Sequence, residues 1–223
     1  MIEEIAPGAY RITLSRFDAL NVYLLGDVLV DSGTRFSERR LLRSLVGRPL
    51  AAHALSHAHP DHLGSSRALC EHFKIPLWCG EGDRIAVESG DLTQILPSPE
   101  GWIARVARAF ARPGQTVSRA LREGDEIGGF TVIEAPGHTP GHLAFWRARD
   151  RLLVLGDVLF NRNPVTLRGG LAEPFRWATV DPRLNRASAR KLAALEPAVV
   201  CFGHGPPLRD SEALASFVAG LPD

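Results

Sequence analysis

The sequence predicts an α/β fold. Three observations carry that expectation. Short apolar runs rich in β-branched residues alternate with amphipathic stretches of helix length, glycine adjoins the ends of several runs, and histidine or aspartate follows those ends directly.

The elements can be justified in chain order. Tyr10 to Leu14 and Asn21 to Val30 read as strands, interrupted by the turn signals Ser15-Arg16 and Gly26-Asp27. Val28-Leu29-Val30 runs into Asp31-Ser32-Gly33, which leaves Asp31 at a strand's C-terminal end. Ser37 is placed to cap a helix reaching about Val46. Ala51 to Ser56 has the character of a buried strand, Leu63 to Phe73 of a helix and Pro76 to Cys79 of another strand. Further on, Phe130 to Ala135, Leu143 to Trp146, Leu152 to Leu155 and Val199 to Phe202 read as strands, with helices at Pro182 to Leu195 and Ser211 to Gly220. Two segments break the rhythm. Pro99 to Arg112 carries Trp102, Ile103, Val106 and Phe110 on one helical face, and forms the centre of a helical insertion at about 92–120. Asn161 to Asp181 is too rich in Gly, Pro and Arg for regular structure, and a loop of that length is often functional. No internal repeat or low-complexity linker divides the chain, so 1–223 is read as one domain.

Composition narrows the function. Hydrophobic residues make up 45% and charged residues 23% of the 223 residues, as in an ordinary globular enzyme. Lys+Arg and Asp+Glu nearly cancel at 26 and 25, so no net field favours a nucleic acid. The three cysteines, Cys70, Cys79 and Cys201, have no CxxC spacing and read as buried thiols in a reducing compartment. The first residues lack a basic leader, and no apolar run reaches membrane-spanning length, so a cytoplasmic location away from membranes is expected.

The chemistry is concentrated in His57-Ala58-His59-Pro60-Asp61-His62, four potential ligands in six residues just after a predicted strand. In an extended segment His57 and His59 face the same way and can grip one ion together. Pro60 keeps His59 extended and suits the first position of a helix, which aims Asp61 and His62 differently, a geometry better for two ions than one. His138, Asp157 and His204 each follow an apolar strand and adjoin glycine. In open α/β architectures such strand ends converge on the active site. An isolated histidine is more often structural, and His53 and His72, outside the pattern, are read that way. Imidazole and carboxylate without thiolate suit Zn, Fe or Mn.

Taken together, His57-x-His59-x-Asp61-His62, Pro136-Gly137-His138-Thr139-Pro140-Gly141-His142, Gly156-Asp157 and Gly203-His204-Gly205 resemble the ordered motifs of the metallo-β-lactamase superfamily, and Val30-Asp31-Ser32-Gly33 resembles its first motif. The resemblance implies an αββα sandwich of two mixed sheets flanked by helices. It implies one ion on His57, His59 and His138, a second on Asp61, His62 and His204, and Asp157 bridging them. Asp31 and His142 become outer-shell residues. Two divalent ions are implied, zinc first, with iron or manganese as the other choices.

Two bridged ions acidify the solvent between them enough to supply hydroxide near neutral pH, so no serine or cysteine nucleophile is needed. Asp61 is the candidate for moving the proton to the leaving group. Gly156-Asp157-Val158-Leu159-Phe160 is closest in wording to the glyoxalase II group, which implies a small-molecule ester or thioester substrate. Three alternatives stand beside it. Acyl-homoserine lactonases place their substrate with a tyrosine after the bridging aspartate, whereas only Tyr10 and Tyr23 occur here. A phosphodiesterase or nuclease would need a basic arm that is absent, and a non-catalytic metal-stabilised scaffold would typically have lost ligands. Trp102, Phe110, Arg168, Phe175, Arg176 and Trp177 are candidates for the pocket wall, though buried aromatics more often serve packing alone.

Overall fold

The computed structural model describes residues 2–101, 104–105 and 113–223. The Pro99–Arg112 helix was inferred from Trp102, Ile103, Val106 and Phe110, all four outside the described residues.

Seven strands form a first mixed sheet whose spatial order follows the chain: β1 (Ile2–Ala6), β2 (Ala9–Thr13), β3 (Asn21–Leu25), β4 (Val28–Val30), β5 (Ala52–Ala54), β6 (Leu77–Gly80) and β7 (Arg119–Leu121). Pairing is antiparallel from β1 to β4 and parallel from β4 to β7. The second sheet contains β8 (Glu126–Ile127), β9 (Phe130–Glu134), β10 (Leu143–Arg147), β11 (Leu152–Val154) and β14 (Val199–Cys201), in the order β14-β11-β10-β9-β8. Only its β11–β14 pair is parallel.

The strand sequences explain the layering. Along β3, Tyr23 and Leu25 face the second sheet, where they join Phe130, Val132, Phe145, Val154 and Cys201 in one core. The intervening Val22 and Leu24 point the other way, onto Leu41 and Leu45 of α1 (Glu38–Leu45) and Leu69 of α3 (Ser66–Phe73). A strand covered on both faces needs a continuous apolar run, and β3 has one. On the far side, Leu153, Leu155 and Val200 pack beneath α5 (Pro182–Ala193) and α6 (Ser211–Ala219) through Ala189, Leu192, Leu214 and Val218. Each fully buried valine, leucine or phenylalanine among these contributes roughly 1.5–3 kcal/mol. The result is the expected αββα sandwich, and Cys70, Cys79 and Cys201 are buried and unpaired within it.

The structure corrects the expectation at several places. The segment expected to be irregular opens with a two-stranded ribbon, β12 (Phe160–Arg162) against β13 (Gly169–Ala172). Its turn is built by Asn163, whose side-chain oxygen accepts from the Val165 and Thr166 amides. A separate two-stranded ribbon stabilised by backbone bonds has no need of an apolar period, so composition concealed it. The single helix expected from Leu63 to Phe73 is two, α2 (Pro60–Leu63) and α3, separated at Gly64-Ser65. Ser37 precedes α1 but makes no side-chain cap bond. A further helix, α4 (Glu81–Ser89), follows β6 directly.

Candidate metal centre

Five connections bring the predicted residues together, each just past the C-terminal end of a strand: Asp31 after β4, His57 to His62 after β5, His138 after β9, Asp157 after β11 and His204 after β14. The first sheet thus supplies one half of the cluster and the second sheet the other. Three groups have donor atoms within 4.8 Å of one another: His57, His59 and His138; His57, His62 and Asp157; and Asp61, His62 and His204. The Asp157 carboxylate lies at the centre. Its Oδ2 is 3.1 Å from His204 Nε2, 3.4 Å from His62 Nε2, 3.8 Å from His138 Nε2 and 3.9 Å from His57 Nε2. Asp61 lies 3.4 Å from His204 and is 40% exposed, which marks the open side.

Four of the five rings are aimed by their other nitrogen. His57 Nδ1 is 3.1 Å from the Ser56 hydroxyl, which itself donates to Asp31. His62 Nδ1 donates to the same Asp31 carboxylate at 2.9 Å, His204 Nδ1 to the Ala19 carbonyl at 2.6 Å, and His138 Nδ1 to the Thr179 hydroxyl at 3.0 Å. A histidine whose second nitrogen donates in this way presents its other lone pair inward. Asp31 adopts a left-handed backbone conformation (φ 64°) to reach both Ser56 and His62. Such strain in a residue other than glycine is held only where its surroundings over-determine it.

The residues fit a metal centre. His57 Nε2, His62 Nε2 and Asp157 Oδ1 are buried and have no hydrogen-bond partner. Each unsatisfied buried polar atom costs about 1–3 kcal/mol, a penalty that cations would remove. Between Asp157 Oδ1 and the neighbouring loop there is room only for glycine, since a Cβ at Gly203 would collide with that oxygen.

His142 is set apart from the ligand groups. Its Nε2 accepts from the Asp157 amide at 3.1 Å, so it steadies the carboxylate from behind. Burial lowers its pKa to about 4. His53, bonded to the Leu29 carbonyl and to Ser66, is structural as expected.

Two contributors escaped the sequence reading. Thr179 accepts from His138 and donates its own hydroxyl hydrogen bond to the Phe175 carbonyl. Asp83, fully buried in the first turn of α4, accepts from the Ala58 amide at 2.9 Å, the Thr139 hydroxyl at 2.8 Å and the Gly141 amide at 2.7 Å. One carboxylate therefore ties the His57–His59 segment to the loop that carries His138. Burial pushes its pKa up to about 6, against those three bonds. Its signal was the run Gly80-Glu81-Gly82-Asp83 after a strand, the same context as the other site residues.

Among the proposed wall residues, Phe175 is half-buried while Arg168, Arg176 and Trp177 are exposed. Trp102 and Phe110 lie outside the described residues.

The two clusters differ electrostatically. Burial holds His57, His59 and His138 below the usual imidazole range, with neighbouring histidines adding to the effect and Asp157 opposing it. At His62 and His204 burial acts the same way but is outweighed by Asp157, joined by Asp31 at His62 and by Asp61 at His204. His62 is raised well above its ordinary value and His204 to about 10. Protons and cations compete for the same lone pairs. Loading the Asp61–His62–His204 group must expel protons at neutral pH, whereas the His57–His59–His138 group is already neutral. As pH falls, a cation on the former group is therefore expected to leave before one on the latter. Metal content measured after dialysis across a pH series checks this; loss of both ions at one pH would contradict it. Thr179→Val is expected to weaken metal retention about 10–100-fold by freeing His138, with Thr179→Ser close to wild type. Competition against a chromogenic chelator reads that difference.

A histidine and aspartate cluster of this kind, at the strand ends of an αββα sandwich, defines a metal-dependent hydrolase. The chain belongs to the metallo-beta-lactamase superfamily, whose sequence pattern matches residues 16–204. It is 27% identical to the probable metallo-hydrolase YflN of Bacillus subtilis, over 92% of this chain and 86% of that protein. It is 30% identical to a hydroxyacylglutathione hydrolase of Bdellovibrio bacteriovorus, over 65% of this chain and 50% of that protein. The crystal structure of TTHA1623 in a di-iron-bound form superposes with a TM-score of 0.70 at 29% identity, covering 92% of this chain and 96% of the other. No helix among the described residues is long and apolar enough to cross a membrane.

Proposed function

We propose that the protein is a two-ion hydrolase of small-molecule esters or thioesters, similar in chemistry to glyoxalase II. The observation that carries this reading is the central position of Asp157 between two imidazole clusters, with the other nitrogen of His57, His62, His138 and His204 already engaged. His57, His59 and His138 would hold one ion, Asp61, His62 and His204 the other, and Asp157 both. Zinc is the expected metal, with iron or manganese compatible with the same donors. When bound, the pair supplies an acidified water and an electrophilic contact for a carbonyl oxygen.

The chain's own residues do the rest. Asp31, Ser56, Thr179 and the Ala19 carbonyl fix the imidazoles in one orientation, so little reorganisation accompanies reaction. Asp61, on the open side, is the group able to carry a proton toward a departing oxygen or sulfur. Although burial opposes its ionisation, the His204 hydrogen bond and the His62 charge hold its carboxyl below the usual range, so it receives that proton only in passing. Asp61→Asn is expected to lower kcat when compared with wild type at matched metal content; full turnover in a variant that retains its metal would remove the proton role.

The ester or thioester assignment draws on the hydroxyacylglutathione hydrolase relative, of which this chain spans about half the length. Neither tyrosine is free for a lactonase-like role. Tyr23 donates its hydroxyl to the Phe202 carbonyl at 2.7 Å, and Tyr10 lies beneath the Arg48 guanidinium. Balanced charge supports a small-molecule partner over a nucleic acid, and three buried unpaired thiols suit a reducing cytoplasm. The test is a panel of thioesters, lactones and phosphodiesters assayed on protein of measured metal content. Turnover confined to phosphodiesters would sink the substrate assignment, and none in any class would favour an idle scaffold.

A further inference from the structure

A chain of aromatic rings leads from the metal centre to the surface. The buried ring of Phe160 on β12 packs edge-on against the His204 imidazole, with centroids 4.9 Å apart at 81°. Phe160 also meets Phe175 at 5.7 Å and 70°. Phe175 in turn stacks on Trp177 at 5.1 Å with planes 12° apart. Trp177 closes the series with 54% of its surface exposed. Stacking on Phe175 holds this indole in one orientation while leaving much of its surface to water.

The turn bearing Trp177 is tied to both halves of the centre. Its Phe175 carbonyl accepts from the Ala178 amide at 2.9 Å and from the Thr179 hydroxyl that orients His138. The Val180 and Asp181 amides donate to the His138 and Gly137 carbonyls. The segment from Phe175 to Asp181 is thus anchored at His138 through its backbone and at His204 through its rings. A substrate whose reacting carbonyl sits among the histidines has this ring series beside it.

We propose that Phe175 and Trp177 form a platform for an extended apolar acyl group, so that the hydrolase prefers medium-chain acyl esters or thioesters over short ones. The proposal rests on the hydrolase reading above and names its substrate class. Phe175, backed by the buried Phe160, would line the inner part of the chain's path, and Trp177 the distal part, which only longer chains reach.

The test uses metal-loaded enzyme and a series of N-acetylcysteamine thioesters: acetyl, butanoyl, hexanoyl, octanoyl and decanoyl. Wild type is expected to gain up to roughly fourfold in kcat/KM for each methylene laid against the rings, the value of one buried methylene. Trp177→Ala is expected to lose roughly tenfold on the decanoyl substrate relative to the acetyl one, a loss graded with chain length. Because Trp177 is more than half exposed, this variant should fold. Binding is read separately with the non-hydrolysable decyl thioether of N-acetylcysteamine, which should alter tryptophan fluorescence in wild type and not in Trp177→Phe. If no thioester turns over but that fluorescence response is present, the platform stands and the thioesterase reading fails. If thioesters turn over with no dependence on chain length, or Trp177→Ala lowers all of them equally, the platform is overturned.

Discussion

Asp157→Asn is expected to reduce the metal bound per chain and to lower kcat by roughly a thousandfold or more, about 4 kcal/mol of transition-state stabilisation. The reason is geometric and electrostatic together. The Asp157 carboxylate lies within 4 Å of four histidine nitrogens drawn from both clusters, and no other acid does so among the described residues. Although burial opposes its ionisation, His204 and His62 hold it well below the ordinary carboxylate range, so the native residue is an anion throughout the useful pH range. Asparagine keeps the shape and deletes the charge, which separates electrostatics from packing. Elemental analysis together with steady-state rates measures the effect; a variant retaining the wild-type metal content and more than about a tenth of wild-type kcat would refute the central role given to this residue.

Asp83→Ala is expected to have the largest effect on stability outside the ligands themselves. It strands two backbone amides and a hydroxyl in a buried position, at about 1–3 kcal/mol each. With partial relaxation we expect a loss of at least about 3 kcal/mol. That corresponds to roughly 6–12 °C in Tm for a chain of this size. Metal retention should fall as well, because the segment holding His57 and His59 would no longer be tied to the loop holding His138. The local packing leaves little room for adjustment: a Cβ at Gly80 would collide with the Gly141 carbonyl, and one at Gly141 with the Asp83 amide. Thermal denaturation with and without metal checks the prediction, and a Tm within about 2 °C of wild type would reject it.

The clustering of these histidines and aspartates was legible because metal binding would need such residue types at strand ends, and those types stand out against apolar runs. The helix opening at Pro60 was legible for a similar reason, since proline fixes the local backbone. What sequence reasoning missed is held in place by long-range contacts. Thr179 looks like any loop threonine until the fold brings it within 3.0 Å of His138. Asp83 reads as a surface acid on α4, a helix whose own pattern is weak because Gly82 interrupts it and Ile85 faces solvent. β1 escaped notice because its central residues are Glu3 and Glu4, as suits a strand at the edge of a sheet. The assignment of His138 rather than His142 as a ligand came from family resemblance. In the structure His138 Nε2 lies 3.0 Å from His59 Nδ1, whereas His142 serves the Asp157 backbone.

The residues of the cluster come from both sheets, with His57 to His62 and their partner Asp31 on one and His138, Asp157 and His204 on the other. Ions bound here would act as cross-links between the two halves of the sandwich, closing chain loops that span more than half of the sequence. A ligand that binds only the folded state raises stability in proportion to the logarithm of its free concentration. Metal supply would then set the protein's lifetime as well as its activity: in a starved cell the chain opens more often, and proteases that cleave the open form remove it. Abundance of this enzyme should accordingly follow the availability of its metal even with synthesis held constant.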